Sequence, residues 1–119
     1  MKELLLVMIG GGTGAVLRYL LTSLLKKFDL KHWATFWVNI TGCFALGLLF
    51  QLLLQSGQLM HTFIMVGLIG SYTTFSTFEY ENIDLIAHEQ YPEFVKYALS
   101  SCVFGFLAVG AGFYLGKFI

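Results

Sequence analysis

The sequence predicts an all-α membrane protein of four transmembrane helices, the third broken near its middle. Three observations carry that expectation. Of 119 residues, 57% are hydrophobic, 12% are charged and one is proline, which leaves too few polar groups to cover an ordinary soluble domain. An apolar crossing needs about 20 residues, so the length accommodates four helices, expected at about 4–25, 33–55, 59–87 and 94–118, in one domain over 1–119. Inside the third apolar run, residues 67–81 read GLIGSYTTFSTFEYE, a polar interruption at membrane depth.

That interruption is the most informative stretch of the chain. Ser71, Tyr72, Thr73, Thr74, Ser76 and Thr77 are hydroxyl side chains, and such groups are costly in a bilayer unless paired. Gly67 and Gly70, followed by the β-branched Thr73 and Thr74, make a poor helix centre. Unwound backbone at this depth is tolerated where it is buried in protein or lines a cavity, and broken helices commonly hold ions. The stretch therefore reads as a discontinuous helix at an ion site.

The first helix carries GGGTGAVLRYL, in which Gly10 and Gly14 are spaced for close approach of another backbone. Arg18 has two readings: a side chain snorkelling to headgroups, or a cation turned inward to serve a vestibule or tie down a loop. In the second helix, Trp33 and Trp37 suit an interface, and Asn39 is the one strongly polar residue, able to bond a neighbouring helix. Thr41, Gly42 and Gly47 follow it. The third helix is expected to break around 70–74 and to end in Glu79, Glu81 and Asp84, toward water, because a carboxylate facing lipid is expensive. Residues 88–93 are expected to form a loop stopped by Pro92. In the fourth helix, Tyr97, Ser101 and Gly105 share a face, while Gly112 and Gly116 suggest tight packing.

Several functions have no footprint. The formal charge is zero and the cations are scattered, which argues against nucleic-acid binding. Cys43 and Cys102 lack metal-site spacing and read as small buried hydrophobes, not a disulfide. His32, His61 and His88 fall at helix ends, with no metal-ligand pair among them. The apolar run at 4–9 is too short for a signal-peptide core, so no cleaved leader is expected. With four crossings, Lys2 and Lys117 lie on one side, and Lys26, Lys27, Lys31 and Lys96 on the other. So weak a bias permits insertion in both orientations.

Three segments together resemble one family. Gly10-Gly11-x-x-Gly14-Ala15-x-x-Arg18-Tyr19, Val38-Asn39-x-x-Gly42-x-Phe44-x-x-Gly47 and Gly70-x-x-Thr73-Thr74-Phe75-Ser76-Thr77-Phe78-x-x-Glu81 are similar to the Fluc (CrcB) fluoride channels, over essentially the whole chain. The resemblance implies a fluoride-selective channel and not an enzyme, exporting cytoplasmic fluoride passively across the plasma membrane and so conferring fluoride resistance. It implies an antiparallel, dual-topology homodimer, or a pairing with a close paralogue, surrounded by lipid. A structural sodium ion would sit at the dimer centre on the backbone carbonyls of Gly70 and Thr73. Phe75, Phe78 and Asn39 map onto pore positions, Ser76 and Thr77 belong to the same motif, and Tyr97 and Ser101 map onto a polar track. Gly105 departs from that track, where another hydroxyl is expected, and Ala34 stands in place of a glycine before the helix-two threonine.

Two other classes compete. A small four-helix proton-coupled drug exporter wants a membrane-embedded carboxylate, yet Glu3 is terminal and the acids of the third helix follow its break. A non-transporting scaffold explains the glycines but not the cluster of hydroxyls and phenylalanines. A membrane enzyme would need a nucleophile–base or metal constellation, which the sequence does not present.

Overall fold

The computed structural model describes residues 1–30, 32–54 and 56–119. Lys31, one of the loop cations, and Gln55, the expected end of the second helix, lie outside the described residues. Among the described residues every regular element is helical. The order is α1 (Lys2–Lys26), α2 (Trp33–Leu52), α3 (Gln58–His61), a π-helical segment (Thr62–Ile69), α4 (Gly70–Tyr72), α5 (Phe75–Ala87) and α6 (Tyr91–Gly116). α1, α2 and α6 are each long and apolar enough to cross a membrane. The molecule is 48 Å along its longest axis, enough for a hydrocarbon core of about 30 Å and both interfaces.

Glycine decides which helices touch. α2 and α6 form the most extensive contact. A Cβ on Gly112 would strike the Phe44 carbonyl and lie 2.9 Å from the Leu48 amide, and a Cβ on Gly47 would strike the Val109 carbonyl. Backbone therefore meets backbone, as small residues allow between membrane helices. α1 packs in the same way on the π-helical segment. A Cβ on Gly10 would fall 2.6 Å from the Phe63 carbonyl, and one on Gly14 would collide with the Leu68 carbonyl and Ser71 Oγ. The expected close approaches at Gly10, Gly14 and Gly112 thus all have named partners.

An aromatic cluster joins α2, α5 and α6 at one end. Tyr97 is fully buried, with Phe36 and Leu85 beside it and Trp33, Ile40, Phe78 and Phe94 packed around them. Elsewhere large apolar side chains face outward, including Leu4, Leu5, Met8 and Ile9 on α1 and Val103, Phe104, Phe106 and Leu107 on α6. Apolar surface on this scale suits lipid or another protein surface rather than water.

Two helix boundaries differ from the sequence expectation. α6 begins at Tyr91 and not at 94, so Pro92 sits in its first turn instead of closing the loop. Proline lacks an N–H, which the first turn does not need, and its fixed φ suits a helix start. The reversal is made at Glu89, which takes a positive φ of 57°, while the Gln90 amide closes on the Leu85 carbonyl at 2.8 Å. α2 ends at Leu52; Ser56 Oγ, 2.8 Å from the Leu53 carbonyl, takes up an acceptor freed there.

Candidate functional site

Between α4 and α5 the backbone leaves helical geometry for two residues. Thr73 has φ −73°, ψ 156°, and Thr74 has φ −144°, ψ 115°, both extended. An interruption inside a protein must find new partners for the helical groups it releases. Two neighbouring helices and one local cap provide them.

From α2, Asn39 holds both sides of Thr74. Its Nδ2 donates to the Thr74 carbonyl at 2.9 Å, and its Oδ1 accepts from the Thr74 amide at 2.8 Å. From α1, Arg18 Nη1 donates to the Thr73 carbonyl across a longer 3.4 Å. Arg18 thus reaches inward to the break, a contact that fits the inward reading of this side chain. Thr74 itself caps α5, its Oγ1 accepting from the Thr77 amide at 3.3 Å. The same hydroxyl donates to Thr77 Oγ1 at 2.9 Å and lies 3.4 Å from Ser76 Oγ.

The consequence falls on two carbonyls. In a continuous α-helix the Thr74 amide would close on the Gly70 carbonyl, and the Thr77 amide on that of Thr73. Here the first amide goes to Asn39 and the second to the Thr74 hydroxyl. Gly70 and Thr73 thus present carbonyl oxygens released from the helical ladder. Gly70 is exposed, and a Cβ there would have one neighbour, the Met65 carbonyl at 3.7 Å.

A cavity of about 370 Å³ opens against the break, with Asn39, Thr74, Phe75, Phe78 and Ser101 in its wall. Ser101 Oγ is buried without a hydrogen-bond partner, so this wall offers a hydroxyl nothing else uses. The Phe75 and Phe78 rings lie 6.0 Å apart and tilted by 41°. Phe75 is 74% exposed, an orientation that packing within this chain does not explain. Cys43 and Cys102, both free thiols, border the same space, and Cys43 Sγ would lie 3.8 Å from a Cβ on Gly105.

Three of the residues grouped by sequence are not among those lining this cavity. Ser76 and Thr77 are exposed, and their hydroxyls lie against the Thr74 hydroxyl. Tyr97 is separated from the cavity by Phe78, whose ring centroid is 5.3 Å from its own. Its hydroxyl donates to Glu81 Oε2 at 2.7 Å, while Thr35 Oγ1 donates to Glu81 Oε1 at 2.9 Å. Glu81 is thereby shared among α2, α5 and α6. It also borders a second cavity, of about 590 Å³, with Asp29, His32, Asp84 and Glu93 in its wall. There His32 Nε2 lies 3.2 Å from Glu93 Oε1, which also accepts from Trp33 Nε1 at 3.2 Å. The roles of Thr35 and Glu81 as bonded partners were missed in the sequence. The available signal was spacing: Thr35 and Asn39 lie one turn apart on one face of α2, the face that meets the break.

Similarity to known proteins supplies a context for this geometry. Residues 5–113 match the family model described as CrcB-like protein, Camphor Resistance (CrcB). A protein of Phocaeicola vulgatus named fluoride-specific ion channel FluC is 40% identical, with 98% of this chain and 100% of that protein covered. A FluC 1 of Ligilactobacillus salivarius is 40% identical over 93% of this chain and 96% of its own length. A FluC 1 of Carboxydothermus hydrogenoformans is 39% identical over 99% and 96%. The family-model match spans all three sequence motifs and the whole of the break, and on that ground the chain belongs to the CrcB-like family.

Proposed function

We propose that this protein is a fluoride-selective channel of the plasma membrane, through which cytoplasmic fluoride leaves passively. The observation that carries the reading is the cavity beside the break, where Asn39, Thr74, Ser101 and two phenylalanines meet in a mostly apolar wall. The printed names of the relatives point to the same ion. Fluoride is small and holds water strongly, so a pore must replace that water with donors. Asn39 has two amide hydrogens, one engaged by Thr74, and Ser101 has an unengaged hydroxyl. Phenylalanine presents a positive ring edge, which attracts an anion weakly and keeps the passage narrow and dry. Weak contacts suit conduction, because an ion must leave as well as enter. Hydrogen fluoride crosses membranes neutral and ionises inside, and a negative-inside potential drives the trapped anion out by about 2.3 kcal/mol per 100 mV.

In this reading residues 58–87 make one interrupted crossing, and two copies pair antiparallel. The outward apolar faces of α1 and α6 and the exposed Phe75 are the surfaces available to lipid and to a second copy. Two-fold symmetry makes such an interface self-complementary. A structural sodium ion belongs at the centre, on the carbonyls of Gly70 and Thr73. The fit rests on their release from the helical ladder and on the match between hard oxygen donors and a hard cation. The ion would add positive charge midway along the anion path, beside that of Arg18. Arg18 uses one of the two lone pairs on the Thr73 oxygen and leaves the other.

Liposomes containing only this protein, loaded with potassium fluoride or potassium chloride, test the function with ion-selective electrodes. Rapid fluoride efflux with little chloride efflux is expected. No fluoride efflux from folded, inserted protein would refute the reading.

A further inference from the structure

We propose that Asn39 and Thr74 are positioning residues for the central cation, holding the Gly70 and Thr73 carbonyls open by capturing the two amides that would otherwise close on them. The inference rests on the sodium reading above and deepens it. A carbonyl inside an α-helix has already accepted a hydrogen bond from four residues on. To become available as a ligand it must lose that donor, and the donor must find another acceptor, because a buried orphan N–H is expensive. Here both substitutions are visible. The Thr74 amide is held by Asn39 Oδ1 at 2.8 Å, which releases Gly70; the Thr77 amide is held by Thr74 Oγ1 at 3.3 Å, which releases Thr73.

The Asn39 clamp also resists rezipping, because its Nδ2 holds the carbonyl of the same residue at 2.9 Å and so fixes the Thr74 peptide from both sides. Thr74 is 8% exposed, so water does not readily replace the side-chain acceptors. Asn39 then has two separable duties. Its Oδ1 serves the backbone break and, through it, the cation. Its remaining amide hydrogen serves the cavity and the anion. Asp in place of Asn retains an acceptor for the Thr74 amide but loses both N–H donors, the one on the Thr74 carbonyl included, so this variant leaves the cation-side duty to the Oδ1 contact alone.

The test is a sodium titration of thermal stability in detergent, with potassium and N-methyl-D-glucamine as controls, run beside liposome fluoride flux. Wild type should be stabilised by sodium, since a ligand that binds only the folded state raises its stability. Asn39→Asp and Thr74→Ser should keep that response with its midpoint shifted less than about threefold, and Asn39→Asp should nonetheless conduct no fluoride. Asn39→Leu and Thr74→Val, which lack the acceptors, should shift the midpoint upward by about tenfold or more, as supporting groups around metal ligands generally do. A wild-type midpoint in folded Asn39→Leu and Thr74→Val overturns the positioning role while the sodium site stands. Should both apolar variants fail to fold, loss of the sodium response in Thr74→Ser, which keeps the hydroxyl acceptor, overturns it and retention supports it. No sodium response in the wild type sinks the cation reading itself, and this inference with it.

Discussion

Tyr97 and Glu81 form the one long-range hydrogen bond between a wholly buried side chain and a carboxylate in this fold, among the described residues. The phenol is fully buried on α6 and donates to Glu81 Oε2 on α5 at 2.7 Å. Thr35 of α2 takes the other carboxylate oxygen at 2.9 Å. Hydrogen bonds to charged groups contribute about 1.5–3 kcal/mol each, and more is lost when one partner is left unpaired. Tyr97→Phe and Thr35→Val should each lower the detergent melting temperature clearly. Because both act on one carboxylate, the double variant should lose less than the sum of the two. Strict additivity would mean that the carboxylate does not couple the three helices.

Asn39→Asp should abolish fluoride flux while leaving the dimer assembled. The change removes the amide donors and puts a carboxylate, acceptor-only when ionised, beside the cavity. Fluoride-electrode recordings from liposomes check the flux and chemical cross-linking checks the assembly. Wild-type flux would reduce Asn39 to backbone support alone.

The two phenylalanines should separate conduction from stability to different degrees. Phe75 is 74% exposed, so Phe75→Ile should lower flux with almost no change in the stability of the single chain. Phe78 packs 5.3 Å from Tyr97, so Phe78→Ile should lower flux and cost about 1 kcal/mol as well. Persistent flux in both variants, with only a lower melting temperature, would assign the rings to packing.

α6 contains its own control for glycine packing. A Cβ on Gly112 meets the Phe44 carbonyl and the Leu48 amide, whereas one on Gly110 has nothing within 4 Å. Gly112→Ala should destabilise by about 1–3 kcal/mol through overpacking. Gly110→Ala should be neutral or slightly stabilising, since alanine favours a helix by up to about 1 kcal/mol. Unfolding in mixed detergent micelles compares them, and equal stabilities would mean that α2 and α6 part easily.

The all-helical character, the apolar crossings and the close glycine contacts are legible in the residues alone. These follow from composition, run length and residue size, which act locally whatever the partners are. Gly10, Gly14 and Gly112 could be picked out because a missing side chain announces a close approach, though not what approaches. The partners came with the fold. No spacing rule reveals that Asn39 would close on the Thr74 peptide, that Arg18 would reach the Thr73 carbonyl, or that Thr35 and Tyr97 would divide one carboxylate between them. The fold also set the Ser76 and Thr77 hydroxyls against that of Thr74 at the start of α5. Such choices depend on which groups a helix crossing brings within about 3 Å of one another, the reach of a hydrogen bond. That distance is set by two helices meeting, and neither helix carries it alone.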